Sequence, residues 1–199
     1  MKERKLAAVF PGQGSQRPGM GRDFHDNIEI SRRTYEEAAD AVGWDVAGLC
    51  FGEDERLNLT EYTQPCILAT EIAMLRGLQD QFGFEPSLFG GHSLGEFTAL
   101  VAAGALPFED ALKIVQVRGK LMQDANPLGI GGMSAVISDN LNAQAITNAL
   151  GDLPIDVANI NSLKQIVISG AASDMPKAAV RVLETMEDDQ NFHFVPLNV

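Results

Sequence analysis

Two short apolar runs, each followed by a glycine turn, stand out in the first half of the chain. Leu6–Phe10 leads directly into Pro11-Gly12-Gln13-Gly14, a pattern typical of a buried strand that ends in a tight turn. Pro86–Phe89 predicts a second short strand, and the turn Gly90–Gly95 follows it. Each strand is therefore expected to present a turn at its carboxyl end.

Apolar residues at helical spacing predict five helices around these strands. The predicted helices cover residues 30–42, 44–50, 64–82, 94–103 and 107–125. Pro65 is acceptable because it falls in the first turn of the third helix, and Gly104 ends the fourth. The order of strand, helices, strand and helix indicates an α/β core with parallel strands.

A break rich in glycine and proline, residues 126–132, precedes a different rhythm. The pattern beyond it predicts strand, helix, two strands, helix and strand, over 133–137, 141–150, 155–160, 165–169, 171–187 and 192–197. This βαββαβ order is typical of a small ferredoxin-like unit. We therefore predict two subdomains, residues 1–127 and residues 128–199.

Composition and charge exclude several classes of function. The 199 residues carry a net charge of −12, which argues against nucleic acid as a partner because its phosphates would be repelled. No apolar run is long enough to span a membrane, and the run after the basic start is too short for a signal peptide. We expect a cytoplasmic protein. Cys50 and Cys66 predict neither a disulfide framework nor a metal site, and we expect both to be buried.

The sequence Gly91-His92-Ser93-Leu94-Gly95 has the form G-x-S-x-G and lies between a predicted strand and a predicted helix. A turn this sharp crowds its flanks, so glycine is needed on both sides of the serine, whose hydroxyl is held outward as a nucleophile. The Leu94 N–H at the helix start could stabilise an oxyanion. The alternative is that Ser93 only caps the helix. For His92 we favour a structural or hydrogen-bonding role, because neighbours in such a turn point in different directions.

The turn at Gln13 and the side chain of Arg118 are two further candidates for a site around Ser93. The turn at Gln13 could supply a second oxyanion donor from its backbone N–H, or be a simple tight turn. Arg118 falls within an apolar stripe of its helix, formed by Ala111, Ile114, Val115, Leu121 and Met122. A guanidinium there needs a partner, which is either a structural carboxylate or the carboxylate of a substrate.

Taken in order, the motifs resemble those of the malonyl-CoA:acyl carrier protein transacylases. The matching segments are Phe10–Gln16, Gly91–Glu96, Val117–Gln123, Asn159–Ser162 and Gln165–Gly170. The resemblance covers the whole chain. It implies an α/β-hydrolase-like core with a ferredoxin-like small subdomain, and no metal or redox cofactor.

The resemblance also implies roles for individual residues. Ser93 would accept malonyl from malonyl-CoA and pass it to the phosphopantetheine thiol of an acyl carrier protein. Gln13 and Leu94 would hold the oxyanion through their backbone N–H groups, and Arg118 would bind the malonyl carboxylate. Asn161 would line the same cleft, and His92 is predicted with them as a substrate-binding residue.

The general base of the family is expected beyond the end of this chain. The family's catalytic histidine follows the strand that here ends at Val199, and His193 precedes that position. Three explanations stay open: a truncated chain, a second polypeptide that supplies the C-terminal segment, or a short protein without full activity.

Alternative functions also stay open at this stage. The chain could be a serine esterase, or a non-catalytic module that binds coenzyme A or carrier protein. Methylmalonyl is not distinguished from malonyl, nor is fatty acid from polyketide synthesis. An acidic carrier protein would need a local basic patch, for which the candidates are the loop Arg17–Arg22, Lys113, Lys120 and Lys164.

Overall fold

A computed structural model describes residues 5–125, 129–186 and 191–197 of the chain. The chain divides into two compact units, Met1–Ala125 and Asn126–Val199. The subdomain boundary predicted between residues 127 and 128 lies outside the described residues. Each unit has its own sheet and its own hydrophobic core.

The sheet of the first unit is a parallel pair of strands. Strand β1 (Ala7–Phe10) lies beside β2 (Leu88–Gly91), with Ala7 opposite Leu88 and Phe10 opposite Gly91. Both strands were expected from the sequence, and the parallel arrangement is confirmed. Because the strands run in the same direction and in register, the two glycine turns leave the sheet side by side.

The described part of the first unit contains six helices in addition to this sheet. They are α1 (Arg22–Asn27), α2 (Glu29–Val42), α3 (Val46–Phe51), α4 (Thr60–Phe82), α5 (Leu94–Ala102) and α6 (Phe108–Ala125). The helix α1 and a 3₁₀ turn at Glu55–Asn58 were not predicted. The residues of α1 are almost all polar and none is buried, so no apolar period marks this helix in the sequence.

Helix α4 differs from the prediction at its start. It begins at Thr60 rather than Gln64, so Pro65 lies inside the helix rather than in its first turn. The early turn is stabilised by the Thr63 hydroxyl, which shares its one proton between the Leu59 and Leu57 carbonyls, at 2.9 and 2.7 Å. Polar residues that bond to the backbone interrupt the apolar period at the start of the helix, and the predicted start is therefore too late.

Helix α4 forms the centre of the first core. Thirteen of its residues are buried, and it packs between α2 and α6. Leu68 and Ile72 are buried there together with Tyr35 from α2. Cys50 and Cys66 are both free and fully buried, which confirms that they act as small core residues.

In its described residues, the second unit is an antiparallel sheet with two helices. Its elements are β3 (Gly131–Ile137), α7 (Ala143–Leu150), β4 (Ile155–Ser162), β5 (Gln165–Ala171), α8 (Met175–Glu184) and β6 (His193–Leu197). The strand order β4-β5-β3-β6 is that of a ferredoxin-like unit, as predicted. Its core contains Val136, Ile146 and Ile168 from three different elements.

Helix α8 is shorter than the predicted 171–187. Ala171 is the last residue of β5, and a 3₁₀ turn covers Ala172–Asp174 before the helix begins at Met175. Pro176 accounts for this start, since proline is favoured in the first turn of a helix. The predicted end at residue 187 lies outside the described residues. None of the helices in the described part of the chain is both long enough and apolar enough to span a membrane.

A partly buried acidic side chain, that of Glu71 on α4, faces α5. The Thr98 hydroxyl donates to Oε2 of Glu71 at 2.5 Å, while Oε1 is buried and, among the described residues, has no hydrogen-bond partner. Burial raises the pKa of Glu71 to about 7, although the Thr98 hydrogen bond lowers it in part. The folded protein therefore holds this proton more tightly than the unfolded chain does.

The stability of the first unit should consequently fall as pH rises. A raised carboxyl pKa contributes stability at low pH, which is lost between about 4.5, the unfolded value, and about 7. Glu71→Gln has no proton to lose at this position. Between pH 5 and pH 8, the free energy of unfolding of the wild type should therefore fall by about 3 kcal/mol more than that of Glu71→Gln. Urea denaturation followed by fluorescence of Trp44, the one tryptophan, measures this difference.

The matched control is Glu36→Gln, which neutralises an exposed carboxylate on α2. It should keep the pH dependence of the wild type. If Glu71→Gln and the wild type lose the same stability between pH 5 and pH 8, Glu71 is not the buried acid responsible.

Candidate active site

Ser93 lies at the turn between β2 and α5, as the sequence predicts. Its backbone has φ 52° and ψ −103°, and it is the only non-glycine residue with positive φ in the described part of the chain. This conformation is unfavourable for a residue with a Cβ atom and is retained where the surrounding structure enforces it. A strained serine on a strand-turn-helix is the geometry of a nucleophile elbow.

Backbone-to-backbone contacts enforce the turn. A Cβ atom added to Gly95 would lie 2.1 Å from the Phe10 carbonyl oxygen, and one added to Gly91 would lie 2.0 Å from the Gly95 carbonyl. Across the turns, a Cβ on Gly12 would lie 2.6 Å from the His92 carbonyl oxygen. The turn after β1 and the turn at Ser93 can therefore pack this closely only because glycine occupies these positions.

The Ser93 hydroxyl does not cap the helix. Ser93 occupies the N-cap position of α5, but its side chain makes no capping hydrogen bond. Instead, Nη2 of Arg118 donates to Ser93 Oγ at 3.0 Å. This contact removes the support for the capping alternative and places a permanent cation directly at the hydroxyl.

Arg118 reaches Ser93 from α6 and is held by neutral groups. Its Nη1 donates to Gln64 Oε1 at 2.7 Å, and its guanidinium carbon lies 5.7 Å from the centre of the Phe97 ring. None of the ion pairs between described residues includes Arg118, so a structural carboxylate is not its partner here. A half-buried guanidinium with neutral partners is well suited to an anionic ligand.

The apolar stripe predicted around Arg118 is only partly buried. Ala111 and Val115 are fully buried, whereas Ile114, Leu121 and Met122 are 44%, 62% and 45% exposed. The buried face of α6 instead includes Phe108, Leu112 and Gly119, which form a second row. Arg118 therefore lies at the border of the buried face, where its charged end can be solvated.

The turn at Gln13 has the features expected of a backbone donor. The Ser15 N–H donates to the Gly12 carbonyl at 3.3 Å, and Gly14 has φ 103°, as a type II turn requires. The Gly14 N–H donates to the Gln16 side chain at 2.8 Å. The hydrogen bonds found among the described residues do not use the Gln13 N–H.

His92 contributes to the turn through its backbone. Its N–H donates to the Phe10 carbonyl at 3.1 Å, and its carbonyl accepts from the Gly95 N–H at 2.9 Å. These bonds tie β1, the turn and the start of α5 together. They support the structural interpretation of His92.

Asn161, which was predicted to line the cleft, and His193 belong to the second unit. Asn161 lies in β4, and its amide donates to Gln165 Oε1 at 2.9 Å. His193 lies in β6, opposite Ile137. The structure thus brings the Gln13 turn, Ser93 and Arg118 together within the first unit.

The lysines predicted as a docking patch are all engaged in ion pairs. Lys113 contacts Glu109 at 2.6 Å, Lys120 contacts Asp124 at 3.3 Å, and Lys164 contacts Asp139 at 2.9 Å. In the loop Arg17–Arg22, Arg22 donates to the Phe51 carbonyl at 2.6 Å. Exposed ion pairs of this kind contribute little to stability, so these lysines can exchange their carboxylate partners.

Sequence reasoning missed two polar residues near the start of α4. Gln64 binds Arg118, and the Thr60 hydroxyl accepts a hydrogen bond from the Gln13 side chain at 3.0 Å. The spacing of four residues would have placed both on one helix face, but the predicted helix began only at Gln64.

The close backbone contact at Gly95 gives a testable prediction. Gly95→Ala should destabilise the first unit by about 3 kcal/mol, because the new Cβ overlaps the Phe10 carbonyl and separates β1 from α5. Gly43→Ala is the control: it has φ 81° but open space around it, so it should lose only about 1 kcal/mol. Urea denaturation followed by Trp44 fluorescence compares them, and equal losses would contradict the overlap.

Comparisons with known proteins place these features in context. The acyl transferase domain model matches residues 8–188. A malonyl CoA-acyl carrier protein transacylase of Haemophilus influenzae is 44% identical over 183 residues, which cover 88% of this chain and 58% of that protein.

Solved structures give the same picture. An acyl carrier protein S-malonyltransferase from Vibrio cholerae superposes with a TM-score of 0.85 at 40% identity, covering 98% of this chain and 64% of that one. A malonyl-transacylase in complex with a type II PKS acyl-carrier protein gives a TM-score of 0.87 at 37% identity, covering 98% and 63%. The chain thus spans about three fifths of the length of these relatives.

Proposed function

The chain belongs to the acyl transferase family, and from this premise we propose that it transfers a malonyl group from malonyl-CoA to the phosphopantetheine thiol of an acyl carrier protein. The pathway would be fatty acid or polyketide biosynthesis, in the cytoplasm. The observation that carries the proposal is the hydrogen bond between Arg118 and the Ser93 hydroxyl.

The spacing of groups in the substrate explains why this contact matters. In a malonyl thioester, a single methylene separates the carboxylate from the carbonyl that is attacked. A residue that binds the carboxylate must therefore lie directly beside the nucleophile, as Arg118 does. Methylmalonyl has the same spacing, so this geometry accommodates it equally. A neutral ester has no carboxylate for Arg118, which argues against the esterase alternative.

The proposed reaction has two matched halves. Ser93 Oγ attacks the thioester carbonyl, the C–S bond breaks, and coenzyme A leaves as its thiol with the serine proton. The phosphopantetheine thiol then attacks the serine ester, the C–O bond breaks, and Ser93 regains its proton. The acyl group moves between two thioesters through one ester, so the proposal requires no cofactor.

The oxyanion formed in each half would be held by the N–H groups of Gln13 and Leu94. Leu94 N–H lies at the first turn of α5, where the helix dipole favours negative charge. The Gln13 N–H belongs to the turn packed against His92. The general base would be the family's histidine, which the resemblance places beyond residue 199.

Intact mass spectrometry after mixing with malonyl-CoA tests the proposal. The wild type should gain a malonyl adduct that Ser93→Ala does not. The measurement is made on this chain and on the same chain extended with the C-terminal part of the Haemophilus influenzae relative. An adduct confined to the extended form would show that the base comes from that part. Absence of an adduct in both forms would overturn the proposal and favour a binding module.

Arg118→Ala should change acyl selectivity rather than reactivity in general. Removing a charge-assisted pair of hydrogen bonds should slow acylation by malonyl-CoA roughly 50-fold and leave acylation by acetyl-CoA almost unchanged. Lys120→Ala is the control, because it removes a cation from the same helix two residues away. If Arg118→Ala leaves the preference for malonyl-CoA over acetyl-CoA intact, Arg118 does not bind the carboxylate.

A further inference from the structure

The first two turns of α4 contact both of the elements that surround Ser93. Thr60 and Gln64 are four residues apart and lie on one face of the helix. Gln64 binds the guanidinium of Arg118 at 2.7 Å, and Thr60 binds the side chain of Gln13 at 3.0 Å. One rigid helix thus holds the carboxylate clamp and the turn that contains the proposed oxyanion donor.

The hydrogen bond between Gln13 and Thr60 anchors the short loop after β1. Nε2 of Gln13 donates to Thr60 Oγ1, and Thr60 is only 9% exposed. The partner of the loop is therefore a buried hydroxyl on a helix and not a mobile surface group. A hydrogen bond of this kind restricts the rotation of Gln13, and with it the direction of the Gln13 N–H.

Thr60 is itself fixed relative to α6. Its backbone N–H donates to Gln123 Oε1 at 3.3 Å. A Cβ atom on Gly119 would lie 2.5 Å from the Thr60 carbonyl oxygen, so the two helices approach closely at this point. Gly119 and Gln123 belong to the helix that carries Arg118, so the position of Thr60 is set against the same helix as the clamp.

We propose that Thr60 is a positioning residue for acyl transfer: its hydroxyl fixes the Gln13 turn against α4 and thereby aims the Gln13 N–H at the developing oxyanion. This inference rests on the proposed function for its catalytic consequence. The positioning contact itself can be measured without any reaction.

The chemistry explains which kinetic quantity should respond. An oxyanion donor stabilises the transition state more than the bound substrate, and it is effective only when its direction is fixed beforehand. Loosening the donor should therefore lower the acylation rate at saturating malonyl-CoA. It should leave the half-saturating concentration almost unchanged, because Arg118 still binds the carboxylate.

Three variants separate positioning from general destabilisation. Thr60→Val removes the hydroxyl and keeps the shape, whereas Thr60→Ser keeps the hydroxyl. Thr70→Val is the matched control, because Thr70 is also a buried threonine of α4 that accepts a hydrogen bond, in its case from the Tyr35 hydroxyl at 2.9 Å.

Amide hydrogen exchange of residues 12–16 and the malonylation rate of Ser93 are measured for each variant, in the form of the protein that is acylated. Thr60→Val should speed loop exchange about fivefold and slow acylation about five- to tenfold, the equivalent of one hydrogen bond. Thr60→Ser should restore both quantities. Thr70→Val should change neither, even if it lowers the midpoint of urea denaturation.

Three results would overturn parts of this inference in distinguishable ways. Unchanged loop exchange in Thr60→Val would show that Thr60 does not hold the turn. Faster exchange with an unchanged acylation rate would show that the turn has no part in acyl transfer. If exchange is faster in Thr60→Val but neither the wild type nor any variant is acylated, the proposed function is overturned. The contact between Thr60 and the turn is then still established.

Discussion

The site depends on direct backbone contact between the turn after β1 and the turn after β2. Gly12 approaches His92, and Gly95 approaches Phe10, at distances that leave no room for a Cβ atom. The parallel pairing of β1 and β2 delivers both turns to the same edge, and the hydrogen bond from His92 N–H to the Phe10 carbonyl locks them there. The positive φ of Ser93 persists because this packing over-determines the turn.

The positive charge beside Ser93 comes from a single helix. Arg118 comes from α6, and its partners come from α4 and from the turn before α5, so three elements must be in place before the guanidinium reaches Ser93. Its partners are an amide and a hydroxyl, and neither neutralises it. The site combines a strained serine with a cation held by uncharged groups, which is an arrangement suited to a ligand that carries its own negative charge.

The sequence predicted much of this architecture because the relevant signals are local. The glycines around Ser93 and Gln13 are next to the residues they serve, and the βαββαβ order of the second unit follows from alternating apolar runs. The missed features depend on contacts between distant segments. The start of α4 is stabilised by threonine bonds to the backbone, and the roles of Thr60 and Gln64 depend on partners 47 and 54 residues away. The apolar stripe of α6 was misjudged because helical spacing does not say which neighbours cover a face.

The backbone of Ser93 also bears on how such a site persists over many generations. At φ 52°, glycine would be more favourable than serine by about 1–2 kcal/mol, so the residue proposed as the nucleophile is among the least favourable for the fold. Replacing Ser93 by glycine would give a more stable protein that lacks the hydroxyl. If Ser93 accepts the acyl group as proposed, selection for stability alone would favour loss of the hydroxyl, and only selection for the transfer reaction would retain the serine.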